Sequence, residues 1–442
     1  MTMLKAPSIS LPLDVFELII SMLAEQRATL TALSLVRNDF SDICQRHLFS
    51  IIVLALHTPR MLEALVEVLE SSPRLTRYIK TLNLTVSSNL FNNAQLSWVL
   101  DHLPNIRSLT LYTSYKVHWD QCSHQLQLAL MRATQSPKLC EIKLKGHGSK
   151  EAAIALLVRP PNLRHLFLYW GSEDIEQTHI LTPVEADEDL KISQLETLDM
   201  GGKGMETLAC LLHAKRRNNC YAVGFSQIRR ISIHIAGGDR IETALELFSR
   251  LLCLEDLDID VRGASSLITV AMLKLLMLNA TGFIQLGVPD LMARILKKMN
   301  PSSMKTLRRL KANMSLLSLF HDPLMGLPDG LAHMPAENNL REICITVSVD
   351  GFGYSSSHSR EWDPLDEVLG DRSRFTRLES IDILVESTGM SEDDAGLVMG
   401  MAEGCFSNTR KIWDKFRVSN RAKHAGSKLV VVPSILFYVT LT

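Results

Sequence analysis

The six residues LRHLFL, from Leu163 to Leu168, place three aliphatic side chains at positions i, i+3 and i+5. In a short strand Leu166 and Leu168 would point to one side, and His165 and Phe167 to the other. The same spacing recurs along the chain. Nine clear copies begin at Ile79, Ile106, Leu139, Leu163, Leu195, Ile228, Leu254, Leu340 and Leu378, and two weaker copies at Thr281 and Leu307.

Helical stretches separate these copies. The copies begin 24 to 38 residues apart, and amphipathic segments such as 61–69, 242–252 and 290–299 lie between them. One strand and one helix cannot bury their apolar faces alone, so neighbouring units must stack. The period resembles that of leucine-rich repeats. The resemblance implies an α/β fold: an irregular solenoid over residues 53–387, with a parallel sheet on its concave side and helices on its convex side.

Composition limits the class of partner. The 442 residues are 46% hydrophobic, and 47 basic residues nearly balance 48 acidic ones. No global field therefore favours nucleic acid or an anionic membrane, and we expect neither as a partner. The apolar run at 429–441 is too short to span a bilayer. The eight cysteines show no zinc-site spacing, so we expect reduced thiols in the cytoplasm or nucleus, with no metal site and no cofactor.

Three short apolar helices are predicted before the first repeat. Pro12 biases the preceding residue toward extended backbone, so a helix begins just after it. Its apolar residues recur at helical spacing, and two further helical runs follow up to Phe49. So small a unit has too much surface to bury all of its apolar side chains. Some of them must face another part of the chain or another protein.

This N-terminal segment resembles an F-box, the three-helix module that docks on the Skp-type linker of cullin-RING ubiquitin ligases. The resemblance depends on the Leu-Pro start, the apolar helix LDVFELIISML and the LSLV step at residues 33–36. Arg37 stands where the family usually has cysteine, and Phe40 where it usually has tryptophan. The expected module covers residues 8–52. The resemblance implies linker-binding roles for Leu11, Pro12, Val15, Ile19, Leu23, Leu33, Val36 and Phe40.

An F-box followed by leucine-rich repeats resembles a substrate receptor of an SCF-type ubiquitin ligase. That resemblance implies two partners, the Skp-type linker and a target protein. The chain contains no GxGxxG, GxxxxGK[ST], HExxH or GxSxG motif, so we predict no catalytic residue and no enzyme activity. The alternative is a leucine-rich-repeat scaffold for protein interactions, in which the N-terminal helices only cap the solenoid.

Target recognition is expected on the concave face, where residues that alternate with the buried aliphatics point to solvent. These positions form an aromatic patch followed by an acidic one that would favour a basic partner. The aromatic residues have an alternative role, packing beneath a neighbouring loop. The predicted substrate-binding residues are Tyr112, His165, Phe167, Tyr169, Asp256, Asp258 and Asp260.

Residues 388–442 form the third expected region, a C-terminal cap or tail. This region is basic over 408–428 and apolar over 429–442. It can cap the solenoid, bind an acidic partner or fold back on the acidic segment 172–190. We favour capping, because an apolar strand left at a free edge is prone to aggregation.

Overall fold

The computed structural model describes most of the chain, which forms two compact units, residues 1–162 and 163–442. The described residues are 12–55, 59–86, 93–117, 119–148, 150–171, 193–201, 204–215, 221–235, 241–261, 290–316, 324, 326–350, 362–388, 400, 404–413 and 415–423.

The first unit begins with three helices that share a small core. They are α1 (Leu13–Met22), α2 (Arg27–Val36) and α3 (Asn38–Leu48). Pro12 precedes α1, where its missing N–H costs no helical hydrogen bond. The fully buried members of the core are Ile20, Leu30, Ile43 and Cys44, and the partly buried ones are Leu23, Leu33, Phe40 and Leu48.

Four parallel strands follow in the first unit, paired in chain order. They are β1 (Ile51–Ala55), β2 (Thr81–Val86), β3 (Ser108–Val117) and β4 (Glu141–Gly148). Helices lie between and after them, since parallel strands need long crossover connections. These are α4 (Pro59–Ser71), α5 (Ala94–Asp101), α6 (His124–Thr134) and α7 (Lys150–Leu157), with 3-10 turns at Pro73–Arg77 and Trp119–Gln121.

The second unit contains a parallel sheet in the order β5-β7-β9-β10-β11-β12-β13-β14, and a short separate pair, β6 and β8. The strands are β5 (His165–Gly171), β6 (Ser193–Gln194), β7 (Thr197–Gly201), β8 (Val223–Gly224), β9 (Arg230–His234), β10 (Asp256–Val261), β11 (Arg309–Leu316), β12 (Glu342–Asp350), β13 (Ser380–Thr388) and β14 (Phe416–Lys423). The helices are α8 (Gly204–His213), α9 (Ile241–Arg250), α10 (Leu291–Lys298), α11 (Pro301–Thr306), α12 (Leu327–Ala332), α13 (Asp363–Leu369) and α14 (Ser407–Ile412).

The repeated aliphatic residues form the core beneath these sheets. Every one of them in the nine clear copies is at most 5% exposed. The weaker copy at Leu307 also forms a strand with its aliphatic side chains buried, whereas the copy at Thr281 lies outside the described residues. The large parallel sheet with intervening helices confirms the predicted α/β class.

Asparagine side chains join successive copies at a position that the sequence analysis did not identify. Each of these asparagines directly precedes the first aliphatic residue of its copy. Its Nδ2 donates to a backbone carbonyl two residues before the first aliphatic of the preceding copy. The bonds are Asn105 to Arg77 (2.7 Å), Asn162 to Pro137 (2.8 Å) and Asn339 to Lys305 (2.7 Å).

Part of the region predicted as a cap or tail continues the helix-and-strand pattern. β14 pairs in parallel with β13. The carboxylate of Asp366 is buried and accepts hydrogen bonds from the backbone N–H of Asn408 (3.1 Å) and Thr409 (2.8 Å), and from Thr409 Oγ1 (2.7 Å). The apolar run 429–442 and the acidic segment 172–190 lie outside the described residues.

Candidate interaction surfaces

One side of α1 carries large apolar residues that are exposed to solvent. Val15, Leu18, Ile19 and Met22 recur at i, i+3, i+4 and i+7, so they share one side of the helix. Their exposed fractions lie between 37% and 79%. Ile20 points instead into the small core. The helix therefore separates a buried side from an apolar surface, which we call the α1 surface.

The end of α2 exposes two more apolar residues. Leu35 and Val36 are both more than 70% exposed. The helix ends there because Arg37 adopts extended backbone, with φ −155° and ψ 142°. Arg37, the residue that departs from the F-box pattern, forms an exposed ion pair of 2.8 Å with Asp39.

The predicted linker-binding residues fall into two groups. Pro12, Val15, Ile19 and Val36 are exposed. The other described ones pack against the core of the three helices and are only partly accessible: Leu23, Leu33 and Phe40. Leu11 lies outside the described residues. Four exposed apolar residues of these helices were not among the predicted ones: Leu13, Leu18, Met22 and Leu35. The helical spacing already indicated two of them, Leu18 and Met22.

Polar contacts join α3 to the 3-10 turn that follows α4. The Tyr78 hydroxyl donates to Asp42, and that hydrogen bond raises the pKa of Tyr78. Arg74 Nη2 donates to Gln45 Oε1 over 3.2 Å. The three helices are thus attached to the strand-and-helix part through α3, while the α1 surface is not used by these contacts.

Tyr112 is the predicted substrate-binding residue in the first unit. It lies on β3 directly beside Lys145 of β4, and its side chain is exposed. The neighbouring alternate position of β4, Lys143, forms an ion pair of 3.2 Å with Glu141. Around the exposed ring of Tyr112, the described neighbours on β4 are therefore polar.

Three of the predicted substrate-binding residues in the second unit lie on β5. His165, Phe167 and Tyr169 alternate with buried leucines, so they share the solvent-facing side of the sheet. The Tyr169 hydroxyl donates to Asp199 Oδ1 on β7 over 2.6 Å. Burial raises the pKa of Tyr169, and the hydrogen bond to Asp199 raises it further. Gly201 leaves room for the ring, since a Cβ there would lie 2.6 Å from Tyr169 Cε1.

The three predicted aspartates of β10 are bonded to neighbouring strands. Asp256 Oδ2 lies 3.4 Å from Arg230 Nε and 4.0 Å from Arg309 Nη1. Asp258 accepts hydrogen bonds from Lys311 Nζ (2.8 Å) and Asn313 Nδ2 (3.1 Å). Asp260 Oδ1 lies 3.5 Å from His234 Nδ1. The parallel register supplies these partners from copies far away in sequence, so the acidic strand lies within a network of mixed charge.

Similar cross-strand pairs continue toward β14. Arg309 Nε lies 2.7 Å from Glu342 Oε2, and Arg417 Nε lies 3.1 Å from Asp382 Oδ1. Among the described residues, no group of three or more histidine, cysteine or acidic side chains forms a metal-binding cluster. In the same part of the chain, every helix is too short or too polar to cross a bilayer.

No protein-family model matches the chain, and no curated protein matches it either.

Proposed function

We propose that this chain is the non-catalytic substrate-recognition subunit of an SCF-type cullin-RING ubiquitin ligase. Residues 8–52 act as the F-box that docks on the Skp-type linker, and the strands and helices of 53–387 act as leucine-rich repeats that bind a target protein. The observation that carries this proposal is the α1 surface, an exposed apolar side of a helix. It belongs to a group of three helices that has its own small core.

The energetics favour a partner for that surface. Burying a large aliphatic side chain contributes roughly 1.5 to 3 kcal/mol, and four such side chains are exposed on one side of α1. Contiguous exposed apolar surface is typical of sites for protein interaction. A helical partner that covers α1 and the end of α2 would gain this burial without unfolding the small core.

The repeated strands support the second half of the proposal. Their aliphatic residues form the core, so the alternate positions face solvent and can contact a partner while the core stays intact. Those positions carry aromatic and charged side chains, the types that give protein interfaces their affinity and specificity.

A scaffold whose N-terminal helices only cap the repeats is the second candidate. The observation that favours it is the polar attachment of α3, in which Tyr78 donates to Asp42 and Arg74 to Gln45. Hydrogen bonds of this kind are expected of helices that cap the repeats. A cap, however, gains nothing from the α1 surface, so the two candidates differ in what that surface binds.

The test is co-purification of the full chain with a Skp-type linker. The double variant Ile19→Asp and Met22→Asp places two charges on the α1 surface, where they would be buried without a partner in the complex. We expect linker binding to be lost. Leu23 is left unchanged because it packs against the core of the three helices.

Ser21→Asp is the matched control, since it adds a charge to the same helix at an exposed site that is not apolar. It should bind the linker like the unaltered chain. Circular dichroism establishes that each variant is folded. Equal linker binding by the folded double variant, or no binding by the unaltered chain, would refute the proposal and favour the scaffold.

A further inference from the structure

The ring of Tyr169 is held across the neighbouring strand. Its hydroxyl donates a hydrogen bond to Asp199 on β7, and its Cε1 lies over Gly201. Glycine is the only residue type that leaves this space empty, because it has no Cβ. The side chain is still 41% exposed. A tyrosine fixed at its hydroxyl and supported from below presents a ring surface to solvent in one orientation.

One aspartate contacts the hydroxyl of this ring, and others lie on β10, two strands beyond β7. Asp199, Asp258 and Asp260 each raise the pKa of Tyr169 through electrostatic repulsion of the phenolate. The parallel register places Gly201, His234 and Asp260 in one row across β7, β9 and β10, with the Tyr169 ring over the first of them. The aspartates would attract a cation placed over the ring.

The charge balance of this part of the sheet is uneven. On β5, β7, β9 and β10, the solvent-facing positions carry four aspartates, one arginine, Arg230, and two histidines, His165 and His234. Arg309 and Lys311 of β11 contact Asp256 and Asp258, at the side of β10 away from Tyr169. The excess of negative charge is thus on β5, β7, β9 and β10.

We infer that Tyr169, Asp199, Gly201 and Asp260 form a subsite for an arginine or lysine side chain of an extended segment in the target protein. The cation would stack on the supported ring while the carboxylates neutralise its charge, a combination of cation–π and ionic contact. This inference rests on the proposed function, because it names the chemistry of the target that the sheet would bind.

The experiment uses 3-fluorotyrosine incorporated at the seven tyrosines of the full chain. Substitution Tyr169→Phe identifies the fluorine NMR signal of Tyr169. The probe is the peptide acetyl-Gly-Arg-Gly-Arg-Gly-amide, and its control replaces both arginines with citrulline, which has a similar shape and no charge. We expect the arginine peptide to shift the Tyr169 signal saturably and to bind about tenfold more tightly than the citrulline peptide.

Three variants locate the subsite. Asp260→Asn and Asp199→Asn remove charge, and Gly201→Ala forces the ring away from β7. Each should weaken binding of the arginine peptide. Asp382→Asn is the matched control on the same sheet face, where Asp382 pairs with Arg417 on β14. It should leave the affinity unchanged.

The inference is overturned if both peptides shift the Tyr169 signal equally, if neither shifts it, or if Asp382→Asn weakens binding as much as Asp260→Asn. Linker co-purification of the same variants separates this outcome from the proposed function. A subsite failure leaves linker binding intact, whereas failure of the α1 surface variants to lose the linker leaves the peptide result unaffected.

Discussion

Within the first unit, leucine has opposite roles in two regions. Leu144 of β4 is fully buried, whereas Leu18 of α1 is largely exposed. Stacked copies cover one another, so the aliphatic residues of one copy are buried against those of the next. Among the described residues, the apolar side of α1 has no such cover. Stacking, not hydrophobicity, decides which leucines stabilise the fold.

The largest effect is expected from truncating the same residue type in the two regions. Leu144→Ala should lower the free energy of unfolding by about 3 kcal/mol, because it removes buried contacts and leaves a cavity. Leu18→Ala should lower it by less than about 0.5 kcal/mol, because its side chain is solvated. Urea denaturation followed by circular dichroism measures both. Similar losses for the two variants would mean that the α1 surface is covered in the folded chain.

A second comparison sets a buried carboxylate against an exposed one. Asp366→Ala leaves two backbone N–H groups and the Thr409 hydroxyl without their acceptor, and should cost about 2 to 3 kcal/mol. Glu17→Ala breaks an exposed ion pair with Arg46 and should cost about 0 to 0.5 kcal/mol. Thermal unfolding measures the difference.

Asp363→Ala is the matched control for Asp366→Ala, since it removes an exposed carboxylate from the same helix. A large loss of stability in this control would attribute the effect to the helix itself rather than to the buried hydrogen bonds.

The asparagine bonds between copies should have a smaller effect. Asn105→Ala removes the donor to the Arg77 carbonyl and should cost about 1 kcal/mol. Asn38→Ala changes an exposed residue at the start of α3 and should cost less than about 0.5 kcal/mol. Chemical denaturation of the two variants side by side tests this. Equal midpoints would show that the bonds between copies contribute nothing to stability.

The smallest expected effect is on how stability depends on pH, and it involves two tyrosine hydroxyls, one in each unit. The pKa of Tyr78 is raised by its hydrogen bond to Asp42, and that of Tyr169 by burial and then by its bond to Asp199. Because both folded-state pKa values are raised, these bonds contribute stability below the ordinary tyrosine pKa of about 10. That contribution is lost as the pH rises through the folded-state values. Alkaline difference spectra should show that Tyr78→Phe and Tyr169→Phe each remove one late-titrating phenol, and unchanged late absorbance would contradict this.

The spacing of aliphatic residues determined much of the fold in advance. Residues i+3 and i+5 share one side of a short strand, and residue i packs where the chain enters it, so the nine clear copies predicted strand positions, a parallel sheet and the core residues. The same alternation predicted which residues of β5 and β10 face solvent. Strand position and side-chain alternation depend on the local backbone, so a stretch of six residues is enough to predict them.

Only the tertiary structure decided which groups meet across the strands. The register places Asp258 beside Lys311 and Tyr169 over Gly201, and it brings Asn105 to the carbonyl of Arg77. These partners lie tens of residues apart, and the connecting segments differ in length, so no local pattern specifies them. Exposure of the α1 surface was equally undetermined, because an amphipathic helix has the same spacing whether its apolar side meets the chain or solvent. Side-chain periodicity is a property of the backbone, whereas pairing and exposure depend on what the fold places next to it.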